Sequence, residues 1–218
     1  MKRLAVALLV VVGCKKPEAP PPPSFAALDL IYAARKEPLP PAACRRVEDA
    51  EALAKSANDV QALRAIAKSS PEAAFLLAHA VFDASNTRAP ELDTALTCPG
   101  FAAALHLHGN AAIAAKNLVT ARKAFEDAKR AAPSWLDNRA SLAGVLLQLD
   151  ARDAAKQEID ALIAADAAYA PGQLLKFSAL WLDGDTYNAR VALCAAYRLG
   201  SAQAAAKLDA LQLNCDQP

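Results

Sequence analysis

The chain has 218 residues, of which 55% are hydrophobic and 22% are charged, and its formal net charge at pH 7 is +1. So balanced a charge excludes the electrostatic steering toward nucleic acid or an anionic surface that strongly basic proteins show. Alanine, the best helix former, makes up about a quarter of the residues and no strand-like alternation is sustained, so the sequence predicts an all-α protein.

The N-terminus predicts an exported protein. Lys2 and Arg3 precede the apolar run Leu4 to Val12, whose nine residues are far fewer than the roughly 20 needed to span a bilayer. A basic start followed by a short apolar run is typical of a signal peptide, which we assign to residues 1–13. Its removal takes away both cations and leaves 22 basic against 23 acidic residues, a net charge of −1.

The signal peptide ends in Val11-Val12-Gly13-Cys14, which resembles a bacterial lipoprotein box. The resemblance implies that Cys14 carries a diacylglycerol and, after cleavage before it, a further acyl chain. Several acyl chains on one residue give stable membrane anchoring. Lys15 stands where an aspartate would imply inner-membrane retention, so the resemblance implies the outer membrane, facing the periplasm. The alternative is an ordinary secretory signal followed by a chance cysteine.

A linker and a series of helices follow. Residues 14–24 form the linker, because Pro17 and the run Pro20 to Pro23 favour an extended, semi-rigid chain. Helix start and stop residues predict an N-terminal helical region over residues 25–100 and a repeat region over residues 101–218. The predicted helices cover residues 24–36, 42–57, 59–68, a segment from 71, a short segment from 90 to 98, then 101–116, 118–131, 135–149, 152–165, 171–183, 186–199 and a capping helix over 201–213.

A 34-residue period runs through the second half of the chain. Ala121, Ala155 and Ala189 recur at this spacing, and so do the aromatic residues Trp135 and Tyr169. Large apolar residues follow the same period at Phe125, Ile159 and Leu193. A fixed period of this length is typical of a helix–turn–helix solenoid, in which each pair buries its apolar face against the next pair.

The first repeat resembles a tetratricopeptide repeat. Its matching residues are Leu105, Gly109, Ala121, Phe125, Ala128 and Pro133. The second repeat matches at Leu142, Ala155 and Ile159, and the third at Gly184, Ala189 and Ala196. The resemblance covers residues 102–201. It implies a right-handed α-solenoid of antiparallel helix pairs, closed by the C-terminal capping helix.

Four cysteines remain once Cys14 is set aside, and an even number suits the oxidising periplasm. Three pairings are possible, and sequence proximity favours Cys44–Cys98 together with Cys194–Cys215. Each bridge would hold one end of the helical array, where a solenoid frays first, and contribute about 2–4 kcal/mol. The alternative is that Cys194 is an unpaired, buried apolar residue.

The sequence offers no constellation for catalysis or metal binding. His106 and His108 lie about 200° apart on a helix, so they cannot bind one ion together. His-Glu-x-x-His, Cys-x-x-Cys and phosphate-binding glycine loops are absent from the sequence. Asp183-Gly184-Asp185 lacks the further carboxylates of a calcium loop. We therefore predict no cofactor, no metal and no enzymatic activity.

The tetratricopeptide resemblance implies a binding surface, because the first helix of each repeat lines a concave groove in that family. The groove residues by register are His106, Asn110, Asp137, Ser178 and Trp181. Trp181 is the main candidate, since tryptophan is enriched among interface hot spots. The alternative for Trp181 is packing against the capping helix.

These observations predict a lipid-anchored protein of the bacterial envelope that binds a protein or peptide partner there, as a scaffold or assembly factor. Two other classes stay open. The chain could be an envelope hydrolase or metal enzyme that uses a helical domain, or a purely structural lipoprotein.

Overall fold

The computed structural model describes residues 24–57, 59–68 and 70–215. In this part of the chain it contains twelve α-helices, two short 3-10 helices and no strand. The predicted signal peptide, Cys14 and the linker up to residue 23 lie outside the described residues. Every helix in the described ranges is too short or too polar to cross a lipid bilayer.

The helices are labelled in chain order. The N-terminal region contains α1 (Ala26–Arg35), α2 (Ala50–Ser56), α3 (Val60–Ile66), α4 (Pro71–Ser85) and α5 (Glu91–Leu96). The second half contains α6 (Ala102–Ala114), α7 (Leu118–Ala131), α8 (Leu136–Gln148), α9 (Arg152–Ala165), α10 (Ala170–Leu182), α11 (Thr186–Arg198) and α12 (Ala202–Leu211). These bounds agree with the predicted helices of the second half to within a few residues.

Consecutive helices pack in pairs. The most extensive pairs are α6 with α7, α8 with α9, and α10 with α11, and the pairs are joined through packing of α7 on α8 and of α9 on α10. The connections between these consecutive helices are only a few residues long, and connections as short as this place neighbouring helices antiparallel. α12 packs on α11 and lies at the C-terminal end of the series.

The alanines of the 34-residue period are fully buried. Ala121, Ala155 and Ala189 each expose 0% of their surface. Their large apolar companions Phe125, Ile159 and Leu193 expose 2% or less and fill the space between the helices. Small side chains at these positions let two helix backbones approach closely, and the period therefore records where helices meet.

The same constraint, the close approach of two helix backbones, applies at Gly109. A Cβ atom added at Gly109 would lie well inside van der Waals distance of the Phe125 ring. Because Gly109 has no side chain, the Phe125 ring on α7 can lie against the backbone of α6.

The continuous helix predicted over residues 42–57 is wrong. The chain forms a 3-10 helix at Ala42–Cys44, a second at Val47–Asp49, and then α2. Arg45 and Arg46, which lie between the two 3-10 helices, have extended backbones with ψ of 143° and 116°. The interruption has a tertiary cause, because this extended segment delivers the side chain of Arg45 to two carboxylates on other helices.

Arg45 holds the N-terminal region together. Its Nε lies 3.1 Å from Oε1 of Glu72 on α4, and its Nη2 lies 2.7 Å from Oδ1 of Asp29 on α1. The guanidinium carbon also lies 3.9 Å from the centroid of the Phe25 ring. Glu72 is fully buried, and a buried carboxylate is tolerated only when it is paired in this way.

Two disulfides link described parts of the chain, one across the N-terminal region and one at the C-terminal end. Cys44 pairs with Cys98, and Cys194 pairs with Cys215, with Cα–Cα distances of 5.8 Å and 5.5 Å. The pairing that sequence proximity favoured is confirmed. The first bridge joins the segment before α2 to the residue that follows α5, and the second holds the C-terminal tail against α11.

Overpacking one crossing tests how much the close approach contributes. We expect Ala155→Leu to lower the free energy of unfolding by about 1–3 kcal/mol, because the larger side chain must displace packed helices. Chemical denaturation followed by circular dichroism measures the change. Ala164→Leu is the matched control, since Ala164 lies exposed on the same helix. Equal midpoints for the two variants would contradict the assignment of Ala155 to a close crossing.

Candidate functional site

The five predicted groove residues lie on the first helices of three consecutive pairs. His106 and Asn110 are on α6, Asp137 is on α8, and Ser178 and Trp181 are on α10. The structure brings His106 and Asp137 together, because the ring of His106 contacts Asn138, the neighbour of Asp137. Among the described residues, no hydrogen bond or ring contact joins Ser178 or Trp181 to that pair.

His106 lies in the interface between α6, α7 and α8. Its ring centroid is 4.6 Å from that of Trp135 and 5.2 Å from that of Phe125. Its Nδ1 lies 3.0 Å from Oδ1 of Asn138, whose Nδ2 donates to the carbonyl oxygen of Phe125 at 2.9 Å. Because the amide oxygen of Asn138 accepts, Nδ1 of His106 carries the proton and donates it.

This environment disfavours a charge on His106. Burial lowers the pKa of the imidazole below its usual value, and the nearby imidazole of His79 acts in the same direction. The hydrogen bond to Asn138 and the carboxylates of Glu37 and Asp137 oppose the shift without overcoming it. A neutral imidazole that donates one hydrogen bond and packs against an indole ring, tilted by 48° to it, is suited to positioning helices.

Asp137 joins one helix pair to the next. The hydroxyl of Tyr169, which caps the start of α10, donates to Oδ1 of Asp137 at 2.5 Å. Burial and this carboxylate both raise the pKa of the Tyr169 phenol, which therefore stays protonated as a donor. Trp135 and Tyr169, the two aromatic residues of the 34-residue period, thus each contact one of the predicted groove residues.

Trp181 is the most exposed of the five. It leaves 42% of its surface open, and its ring centroid lies 5.7 Å from that of Phe177, which is buried. Phe177 faces α12, where the ammonium of Lys207 lies 5.6 Å from its ring centroid. Contact with the capping helix is therefore made by Phe177, and the indole of Trp181 lies over it toward solvent.

Asn110 and Ser178 are both partly buried. The hydroxyl of Ser178 donates to the carbonyl oxygen of Leu174 at 3.1 Å, one turn earlier in α10. This local bond satisfies the hydroxyl within its own helix. Ser178 can still accept a hydrogen bond from a bound molecule.

The first helices carry few charges. α6 contains no lysine, arginine, aspartate or glutamate, and α10 contains only Lys176. α8 contains Asp137, bonded to Tyr169, and Arg139, whose Nε donates to the carbonyl oxygen of Pro133 at 2.9 Å. By contrast α7 alone carries six charged residues. A surface built by α6, α8 and α10 is consequently suited to an uncharged, apolar partner.

Sequence reasoning missed a polar cluster beside His106. Nε2 of His79 on α4 lies 3.0 Å from Oε1 of Glu37, and its Nδ1 lies 2.9 Å from Oδ2 of Asp83. The spacing of four residues between His79 and Asp83 was a readable signal, whereas Glu37 reaches the site from the loop after α1. Within the described residues no group of three or more His, Cys, Asp or Glu side chains is placed to hold a metal ion.

Comparison with known proteins adds no assignment: no protein-family model matches the chain, and no curated protein matches it. The function is therefore argued from the geometry of the helices and from the sequence features described above.

The buried imidazole of His106 predicts acid sensitivity. Since its pKa in the folded state lies below that in the unfolded state, the unfolded state binds the proton more readily as the pH falls through about 6.5. The contribution to stability is complete above that pH and decreases below it, by up to about 1.4 kcal/mol per pH unit.

Two measurements check this prediction. Proton NMR of the His106 ring should give a titration midpoint below 6.5. Denaturation midpoints between pH 7.5 and 5 should depend less on pH in His106→Gln, which keeps a donor toward Asn138, than in the wild type. A midpoint at or above 6.5 would contradict the assignment.

Proposed function

We propose that the chain is a lipid-anchored protein of the bacterial cell envelope, with tetratricopeptide-like helix pairs that bind another protein. In this proposal Cys14 carries the lipid and residues 14–24 hold the helical domain off the membrane. The helical domain faces the periplasm from the outer membrane and acts as a scaffold or assembly factor without catalytic activity. Its partner rests on the surface formed by α6, α8 and α10.

The observation that carries the proposal is the recurrence of one packing geometry at a spacing of 34 residues. Ala121, Ala155 and Ala189 are fully buried, each on the second helix of a consecutive pair. Such pairs cannot bury their apolar faces alone, so they stack and form an extended surface suited to holding a partner. The right-handed solenoid of the tetratricopeptide family is the arrangement that we infer for the stack.

Two features support the assignment to the envelope. The apolar run and the cysteine at its end fit a lipoprotein signal, which a cytosolic protein has no use for. The pairs Cys44–Cys98 and Cys194–Cys215 lie at disulfide distance, and such bridges persist in an oxidising compartment. The predicted lipoprotein signal and the paired cysteines are independent observations, and both favour the cell envelope.

The chemistry of α10 supports protein binding. Trp181 exposes 42% of its surface and the adjacent Leu182 exposes 49%, on a helix with one charged residue. An indole that lies over a buried phenylalanine is held in place before a partner arrives, so binding it costs little side-chain entropy. Ser178 and Asn110 supply polar groups that can orient the partner.

The lipid anchor is tested by Cys14→Ser. We expect the wild type to incorporate labelled palmitate and to fractionate with membranes, and the variant to incorporate none and to appear in the soluble periplasmic or secreted fraction, because its hydroxyl cannot form the thioether. Wild-type protein that takes up no label would show that the signal is an ordinary secretory one.

The binding surface is tested at Trp181. A photo-crosslinking residue at position 181 should trap a partner protein in intact cells, and calorimetry with that purified partner should show binding about thirtyfold weaker or more for Trp181→Ala. The circular dichroism signal and the melting temperature should stay near those of the wild type, because Phe177 supplies the contact with α12.

Lys123 provides the control for both measurements, since it lies exposed on α7 rather than on a first helix. Crosslinking at position 123 and Lys123→Ala should leave partner capture unchanged. If Trp181→Ala unfolds α10 to α12 without a separable loss of binding, Trp181 is a packing residue. Crosslinks to abundant porins alone would favour a purely structural lipoprotein.

A further inference from the structure

A pocket of about 410 Å³ opens beside the second half of α6. Its apolar lining, called the floor below, consists of the buried Ala111 and Ala112 and the exposed Ala114 and Ala115. Its polar lining, called the rim, consists of Asn86, Thr87, Arg88, His108, Asn117 and Thr120. The volume lies within the range of about 300–1,000 Å³ that is typical of ligand pockets. None of the predicted groove residues lines it.

The pocket exists because α5 is short. α5 has six residues, whereas the second helices α7, α9 and α11 have 13 or 14. The connection between α5 and α6 is short, so α5 runs antiparallel to α6, and a longer α5 would extend at its N-terminal end along the second half of α6. Residues 86–88 form a loop there instead, and they line the pocket.

The side chains of α6 are also small at this place. One repeat later, the positions 34 residues after His108, Ala111 and Ala112 are occupied by Leu142, Val145 and Leu146, which expose 3% or less. In α8 these three side chains fill a core with Phe125 and Ala155. Ala111 and Ala112 are also buried, with 4% and 7% of their surface exposed, but their side chains end at a methyl group. The pocket lies beside them, and an apolar group from outside can occupy it.

The rim carries no unbalanced charge. Nη1 of Arg88 donates to Oδ2 of Asp93 at 3.2 Å, and its Nη2 contacts the other carboxylate oxygen. Burial and the Arg88 guanidinium lower the pKa of His108, which favours a neutral imidazole. The remaining rim residues are amides and hydroxyls. A neutral polar rim around an apolar floor matches a peptide backbone that presents an uncharged side chain.

We propose that this pocket binds one uncharged apolar side chain, of leucine to phenylalanine size, from a peptide segment whose backbone amides hydrogen-bond to the rim. The side chain fills the space beside Ala111 and Ala112, and the Asn86 amide contacts the backbone of the segment. Nδ2 of Asn117 donates to the same backbone, since its Oδ1 already accepts from the backbone amide of Thr120. The site is a second point of attachment, separate from Trp181, and it does not depend on the groove.

The test uses capped amino acids as probes on the mature chain. N-acetyl-leucine amide and N-acetyl-phenylalanine amide should cause saturable NMR shifts at His108, Ala111 and Ala112, with dissociation constants on the order of 1 mM, as expected for ligands of about a dozen heavy atoms. N-acetyl-alanine amide, with its smaller side chain, and N-acetyl-glutamate amide, with its charge, should each bind at least about tenfold more weakly. Toluene, which has no amide, should also bind more weakly.

Ala115→Leu should fill the pocket and weaken binding of the leucine probe by about tenfold or more, and Ala114→Leu is a second variant of the same kind. Both residues are exposed, so the melting temperature should stay near that of the wild type. Ala164→Leu, on the exposed face of α9, should leave binding unchanged. The proposal would be overturned if the four amides bound equally, if toluene bound as tightly as the leucine probe, or if both pocket variants kept the affinity of the wild type. Concentration-dependent shifts at these residues without a probe would assign the pocket to a second copy of the chain instead.

Discussion

The close approach of helix backbones is the constraint on which the second half of the structure depends. At Gly109 no side chain fits beside Phe125, and at Ala121 and Ala155 only a methyl group is accommodated. Small residues at crossings fix the distance between helices, and the large residues beside them then fill the remaining volume. Since a fully buried alanine recurs on the second helix of each pair, the three pairs share this packing position.

The contacts between one helix pair and the next determine which polar side chains of the first helices remain available to other molecules. The ring of His106 packs against that of Trp135, and Asp137 accepts a hydrogen bond from the hydroxyl of Tyr169. Two polar groups of the first helices are therefore used in packing between the helix pairs. The aromatic residues that carry these contacts stand at the starts of α8 and α10, where the chain enters a new helix. What remains on the first helices is largely apolar and neutral. The partner proposed for this surface would be recognised by shape and burial more than by charge.

Local features of the fold could be predicted from the sequence, and long-range ones could not. The bounds of the helices in the second half and the cysteine pairing follow from nearby residues or from spacing, and the structure contains them. The alanines that mark the 34-residue period are fully buried. The break at Arg45 was missed because its cause is Glu72, 27 residues away. In the same way, helical register placed His106 on a groove but could not reveal that Asn138 and Trp135 would enclose its ring.

The Cys44–Cys98 bridge has a mechanical consequence. In the proposed function the chain is tethered at its N-terminus and holds a partner, and it bears tension when that partner is pulled away. The bridge joins residues 54 positions apart, and a covalent bond transmits the tension directly from one to the other. The tension therefore bypasses helices α2 to α5. The chain between Cys44 and Cys98, which would measure about 180 Å when fully extended, cannot be pulled out of the fold. Force applied through the N-terminus would act on α1 and then on the first helix pair, and the interior of the N-terminal region would stay folded under load.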